Sequence, residues 1–189
     1  MNIPSKKECF KLIKKMTMMD HIIDHSIMVS NVALFLSLKL KKHSPDLDSR
    51  LATSAALLHD ITKTRSFDTN ENHSETGGLM LIKLGYPEVG DIIRQHVILD
   101  SYEDNSRVSV EEIVNYSDKR ILHDKVVSLN KRLEYIEVRY GASKEFKNRI
   151  QTMWKNTLEL ENKIFCQLDI KPNQLSACVS KKIKKEDWI

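Results

Sequence analysis

Ala55-Ala56-Leu57-Leu58-His59-Asp60-Ile61-Thr62-Lys63 decides how this chain is read. A small-residue, leucine-rich segment runs straight into an imidazole and a carboxylate. Leu51, Ala55 and Leu58 recur at the spacing of one buried helix face, which predicts a helix over 49–59. Burial does not account for His59 and Asp60. A carboxylate at the edge of a core costs free energy unless a cation, a metal or hydrogen bonds compensate it.

Working outward, His25, Val29, Val32, Leu36 and Leu40 share one face of a helix expected over 21–40, so an imidazole interrupts an apolar stripe. His21, one turn earlier, competes with His25 for the inward position. Downstream, Ser109-Val110-Glu111-Glu112 is a capping box opening a helix on which Asp118 falls one turn after Val114, pointing to the core. The remaining pattern predicts a helix over 6–16 capped by Ser5, a polar loop over 61–72 and a helix over 73–84 ended by Gly85-Tyr86-Pro87. After these come a helix over 89–99 carrying His96, a polar connection over 101–107, and two amphipathic helices over 126–140 and 144–168 parted by Gly141. His43 and His123 lie in polar surroundings and read as surface residues.

With 189 residues, 41% of them hydrophobic, and only five Gly and four Pro, the composition favours long helices with short connections. The expected class is all-α. One domain is expected, with residues 1–125 as its core and 126–189 as a C-terminal helical extension packed on it. A net charge of +4, mixed in sign along the chain, suits an anionic substrate and lacks the footprint of a nucleic-acid binder. The basic run Lys181-Lys182-Ile183-Lys184-Lys185 reads as a solvated, frayed terminus. Cys9, Cys166 and Cys178 are too scattered for a disulfide framework or a thiolate zinc site, which fits a reducing cytoplasm. No apolar segment is expected to approach the roughly 18 residues of a membrane span, so no membrane partner and a cytoplasmic location are expected.

Four residues, His25, His59, Asp60 and Asp118, thus sit on or at the ends of apolar helices and belong to the ligand menu of a divalent metal. One inward His alone is more often a satisfied core residue; the set is harder to explain that way.

These blocks resemble the HD superfamily of metal-dependent phosphohydrolases. They are His25-Ser-Ile-Met-Val, Leu57-Leu58-His59-Asp60-Ile61-Thr62-Lys63, His73-Ser-Glu-Thr-Gly77, Ile92-Ile93-Arg94-Gln95-His96 and Ile113-Val114-Asn115-Tyr116-Ser117-Asp118-Lys119, covering about residues 20 to 125. The resemblance implies an HD-domain-like helical bundle with additional C-terminal helices, and a metal held by His25, His59, Asp60 and Asp118. It also implies a second metal completed by His73 and His96, with Asp60 bridging the two. The alternatives are a helix-terminal polar role for His73 and a phosphate contact for His96. The cofactor is then one or two divalent transition ions, with Fe, Mn, Ni, Co and Zn all compatible.

The implied activity is hydrolysis of a small phosphate ester or anhydride, a nucleotide foremost, by metal-activated water. Asp60 and Lys63 carry the chemistry. Lys63, Arg65, Arg94 and Lys119 are the candidates for the substrate's phosphates. A homodimer through the C-terminal helices is compatible. The competing reading is a non-catalytic, metal-dependent nucleotide-binding or sensor protein; a third is a purely structural scaffold.

Overall fold

The computed structural model describes residues 1–102, 107–140, 144–179 and 183–184. Within them the order is α1 (Lys6–Lys15), α2 (Asp20–Leu40), α3 (Ser49–Leu58), α4 (Lys63–Thr69), α5 (His73–Lys83), α6 (Pro87–Arg94) and α7 (Val110–Lys119). A short hairpin of β1 (Ile121–Leu122) and β2 (Lys125–Val126) follows, then α8 (Leu129–Tyr140), α9 (Lys144–Phe165) and α10 (Leu175–Cys178) after a single 3-10 turn. Among the described residues the fold is all-α, an HD-like bundle of helices with this small hairpin as its only sheet.

Several helix starts follow from side chains that satisfy the first orphan N–H groups. Ser5 with Glu8 and Ser109 with Glu112 form reciprocal capping boxes, and Asp48 accepts from the amides of Arg50 and Leu51. The break between α5 and α6 falls at Gly85, whose φ of 88° is a backbone conformation that glycine adopts without steric cost.

Helix α2 is the axis. Fourteen of its 21 residues are buried, and it packs on α3 and α7. One sequence expectation needs correcting here, because Asp20–Leu40 is long and apolar enough to cross a membrane by length and composition. A helix enclosed on most sides by protein is apolar nearly all round, and most of this one is covered by the rest of the fold.

Other elements differ locally from the pattern. Residues 63–69, expected as loop, form α4, a helix with no buried residue and Asn70 in the left-handed conformation at its end. Helix α6 stops at Arg94, so His96 lies in the turn beyond it rather than on a helix. Residues 121–126, assigned to no element and to the start of a helix, pair as the hairpin. Gly141 lies outside the described residues, as do Lys181, Lys182 and Lys185 of the basic run. Ile183 is not frayed: its backbone N–H donates to Asn31 Oδ1 at 2.9 Å and its carbonyl accepts from Asn31 Nδ2 at 3.0 Å, within the core.

The C-terminal helices are tied to α7 by buried charge. Lys163 Nζ meets Glu112 at 2.7 Å, and Arg120 Nη1 meets Glu161 Oε2 at 2.9 Å, beside Tyr116. Removing one partner of such a pair strands a buried charge, at a cost of about 3–5 kcal/mol.

Candidate metal centre

Helix α3 ends at Leu58 and His59 is its C-cap, so the HD pair leaves the helix just where the chain turns. Both residues are enclosed, with relative exposures of 0% and 1%. His59 Nδ1 lies 2.8 Å from the Ala56 carbonyl, which can only accept; the proton is therefore on Nδ1, and Nε2 presents a lone pair to the interior. The same device orients two other rings. His25 Nδ1 donates to the His123 carbonyl at 3.0 Å, and His96 Nδ1 donates to the Ile93 carbonyl at 2.6 Å.

These lone pairs converge with two carboxylates. His25 Nε2 is 2.9 Å from Asp118 Oδ1, and His59 Nε2 is 3.7 Å from the same oxygen and 3.4 Å from Asp60 Oδ2. On the other side of Asp60, Oδ1 is 3.2 Å from His73 Nε2 and 3.6 Å from His96 Nε2, and those two nitrogens are 3.2 Å apart. The ligand atoms of His25, His59 and Asp118 lie within 4.8 Å of one another, as do those of His59, Asp60 and His96. Bonds of about 2.0–2.2 Å to one ion place its ligands at such separations.

The electrostatics agree with a cation-binding set. Burial works against ionising Asp60, yet Lys63, 2.8 Å away, and His59 hold its carboxyl well below the usual range. Burial likewise opposes the Asp118 charge, and the close approach of the His25 ring, with the fields of His59 and Arg132, outweighs it. Burial lowers the pKa of His25, and that of His96 to about 4, favouring the neutral ring that ligates metal. For His59 burial also acts downward, but the charges of Asp60 and Asp118 raise it overall. Two buried atoms at the centre, His59 Nε2 and Asp60 Oδ1, have no hydrogen-bond partner among the described residues. Desolvated polar atoms without partners are costly, and a divalent ion satisfies both. The donor set, four imidazoles and two carboxylates, fits such an ion.

The six metal-ligand candidates from the sequence, His25, His59, Asp60, His73, His96 and Asp118, are thus brought together. His21 lines the mouth of the adjoining cavity and stays outside the cluster. Lys63 lines that cavity and contacts Asp60. The three other phosphate-binding candidates lie elsewhere. Arg65 pairs with Glu71 at 2.6 Å and Arg94 with Asp91 and Asp100, at or near the surface. Lys119 is buried, and its amine donates to the carbonyls of His96, Val97 and Asn115 and to Asn115 Oδ1. It fastens the turn that carries His96.

Two contributions were not anticipated. His123, expected only at the surface, has a left-handed φ of 57° in the hairpin turn that aims its carbonyl at His25. Helix α8 also supplies Arg132, Tyr135 and Arg139 to the cavity wall, at i, i+3 and i+7. Their helical spacing was visible, but nothing in it told a pocket-facing Arg from a solvated one.

The HD domain family model matches residues 22–136. An uncharacterized protein of Methanocaldococcus jannaschii is 24% identical over 137 residues, covering 66% of this chain and 80% of its own. No solved structure matches significantly. Because the family model spans more than half of the sequence, the chain belongs to the HD domain family, a superfamily of metal-dependent phosphohydrolases.

Proposed function

We propose that this protein is a hydrolase of small phosphate esters or anhydrides, with nucleotides the leading substrate class, acting in the cytoplasm through two divalent ions. One observation carries the proposal: Asp60 turns one oxygen to His73 and His96 and the other to His59, so a single carboxylate joins two clusters of ligands. His25, His59 and Asp118 would hold one ion and His73 with His96 the other, with Asp60 shared.

Ions at these donors supply Lewis acidity and an acidified water as nucleophile. The protein's own groups do the rest. The backbone carbonyls of Ala56, Ile93 and His123 fix three rings with Nε2 inward. Asp60 orients the attacking water from its charged, low-pKa state. Lys63, at the cavity wall, offsets negative charge gathering on phosphoryl oxygens. The cavity beside His25 and Asp60 measures about 220 Å³, less than most sites for drug-sized ligands, so it takes the phosphoryl end and leaves the rest of the substrate near solvent.

Elemental analysis of the purified protein should find close to two ions of Fe, Mn, Ni, Co or Zn per chain. A panel of phenyl phosphates and nucleotides, assayed with each metal, should reveal turnover that chelation abolishes. Metal uptake with no turnover of any phosphate would favour a sensor, and absence of metal uptake would overturn the centre itself.

A further inference from the structure

The cavity next to the metal centre has cations on two helices. Lys63, at the start of α4, is bonded to Asp60. Arg132, on α8, has no comparable partner: its nearest carboxylate oxygen, Asp118 Oδ1, is 3.9 Å from Nη2 and is already engaged by His25 at 2.9 Å. Its buried Nε has no hydrogen-bond partner among the described residues. The guanidinium is nevertheless held in place. Its Cζ lies 5.7 Å from the Tyr135 ring centroid, and the Tyr135 ring is met edge-on by His123 at 5.7 Å. The side chain is 13% exposed, so most of its hydration is already lost.

A desolvated, propped guanidinium at a cavity wall, with a donor still unpaired, needs an acceptor, and a phosphoryl group matches its planar fork. Charge fixes which phosphoryl. Two divalent ions outweigh Asp60 and Asp118, and Lys63 with Arg132 adds further positive charge, an excess suited to a dianion rather than the monoanion of a diester.

Resting on the proposed metal centre, we infer that Arg132 binds a non-bridging oxygen of the substrate, and that the site prefers a terminal, dianionic phosphoryl group. The role falls to the C-terminal extension rather than to Arg65, Arg94 or Lys119.

The test uses inorganic phosphate as the dianion and dimethyl phosphate as the diester-like monoanion, titrated calorimetrically into metal-loaded protein above the second pKa of phosphate. The wild type should bind phosphate about tenfold or more tightly than dimethyl phosphate. R132Q should lose about tenfold or more in phosphate affinity while keeping the wild-type metal content and melting temperature, and R132K should fall between. Unchanged phosphate affinity in R132Q overturns the inference, as does loss of metal in R132Q, which would make Arg132 a counter-ion to Asp118. Equal binding of the two probes overturns the preference for a dianion. If the wild type takes up no metal, the centre falls on its own; Arg132-dependent phosphate binding by the metal-free protein would still uphold the residue's role, and its absence would overturn it.

Discussion

The two clusters of candidate ligands that meet at Asp60 are built from different parts of the fold. His25, His59 and Asp118 come from α2, the end of α3 and α7, three elements packed on one another at the core. His73 and His96 come from the start of α5 and the turn after α6, a helical pair whose main contact is with itself, and the His73 side chain is 22% exposed. The first cluster cannot open without disturbing the axis of the bundle. The second can shift as the pair shifts, restrained by Asp60 and by the grip of Lys119 and Asn115 on the turn at 95–97. Such a difference in mounting predicts a resident ion in the first cluster and a more exchangeable one in the second.

The largest effect should come from the residue both clusters share. Asp60→Asn keeps the shape but removes the charge, so it should lower both metal content and hydrolysis, the latter on the order of 10⁴-fold. Full occupancy of either ion in that variant, read by elemental analysis, would break the picture of a shared carboxylate. Gly90→Ala attacks the second cluster through its scaffold. An added Cβ would sit 2.6 Å from the Gly78 carbonyl oxygen and 2.8 Å from Ile82 Cγ1, and the backbone oxygen cannot step aside. Helices α5 and α6 must then part. Expected are a loss of about 3 kcal/mol in unfolding free energy and preferential loss of the exchangeable ion. Equal loss of both ions would show that the clusters are not mounted separately.

His73→Ala removes one ligand and leaves the fold alone, since the residue is the first of α5 and partly exposed. One ion should remain, with activity down about 100-fold, and dialysis against a weak chelator should strip the wild type to the same single-ion state first. Retention of two ions would remove His73 from the ligand set.

What the sequence disclosed follows the same division. His25 and Asp118 were legible because each interrupts an apolar helical stripe, and the Ser109–Glu112 capping box fixed the phase of α7. His96 falls within the helical pattern, yet its turn is held by tertiary contacts from Asn115 and Lys119 that no local pattern contains. Helix α4 was hidden for a related reason: it buries nothing, so its residues carry no apolar period. Arg65, Arg94 and Lys119 carry charge near the motifs, yet local carboxylates or carbonyls occupy all three. Arg on an amphipathic helix ordinarily faces water, so the sequence does not single out Arg132. A helical period locates a face; it does not say which face another element will wall off.

The smallest effect concerns protons on the metal-free protein. Burial sets His96 at about 4 when folded, against about 6.5 for a free imidazole. Between those values the unfolded chain binds the extra proton and the folded one does not, so this ring's contribution is present above pH 6.5 and lost as pH falls towards 4. His25, also lowered by burial, acts in the same direction. His59, raised by Asp60 and Asp118, acts in the opposite one, so the net slope is modest. Ordinary carboxylates titrate near the lower end of this range, so the informative quantity is a difference between proteins. The urea midpoint of wild type should fall more steeply than that of His96→Gln as pH drops from 6.5 to 4, and parallel profiles would show that His96 is not desolvated in the apo fold. Adding the preferred metal should raise the wild-type midpoint and steepen its decline as pH falls, because the metal-bound rings stay unprotonated in the folded state while the unfolded chain still takes up protons.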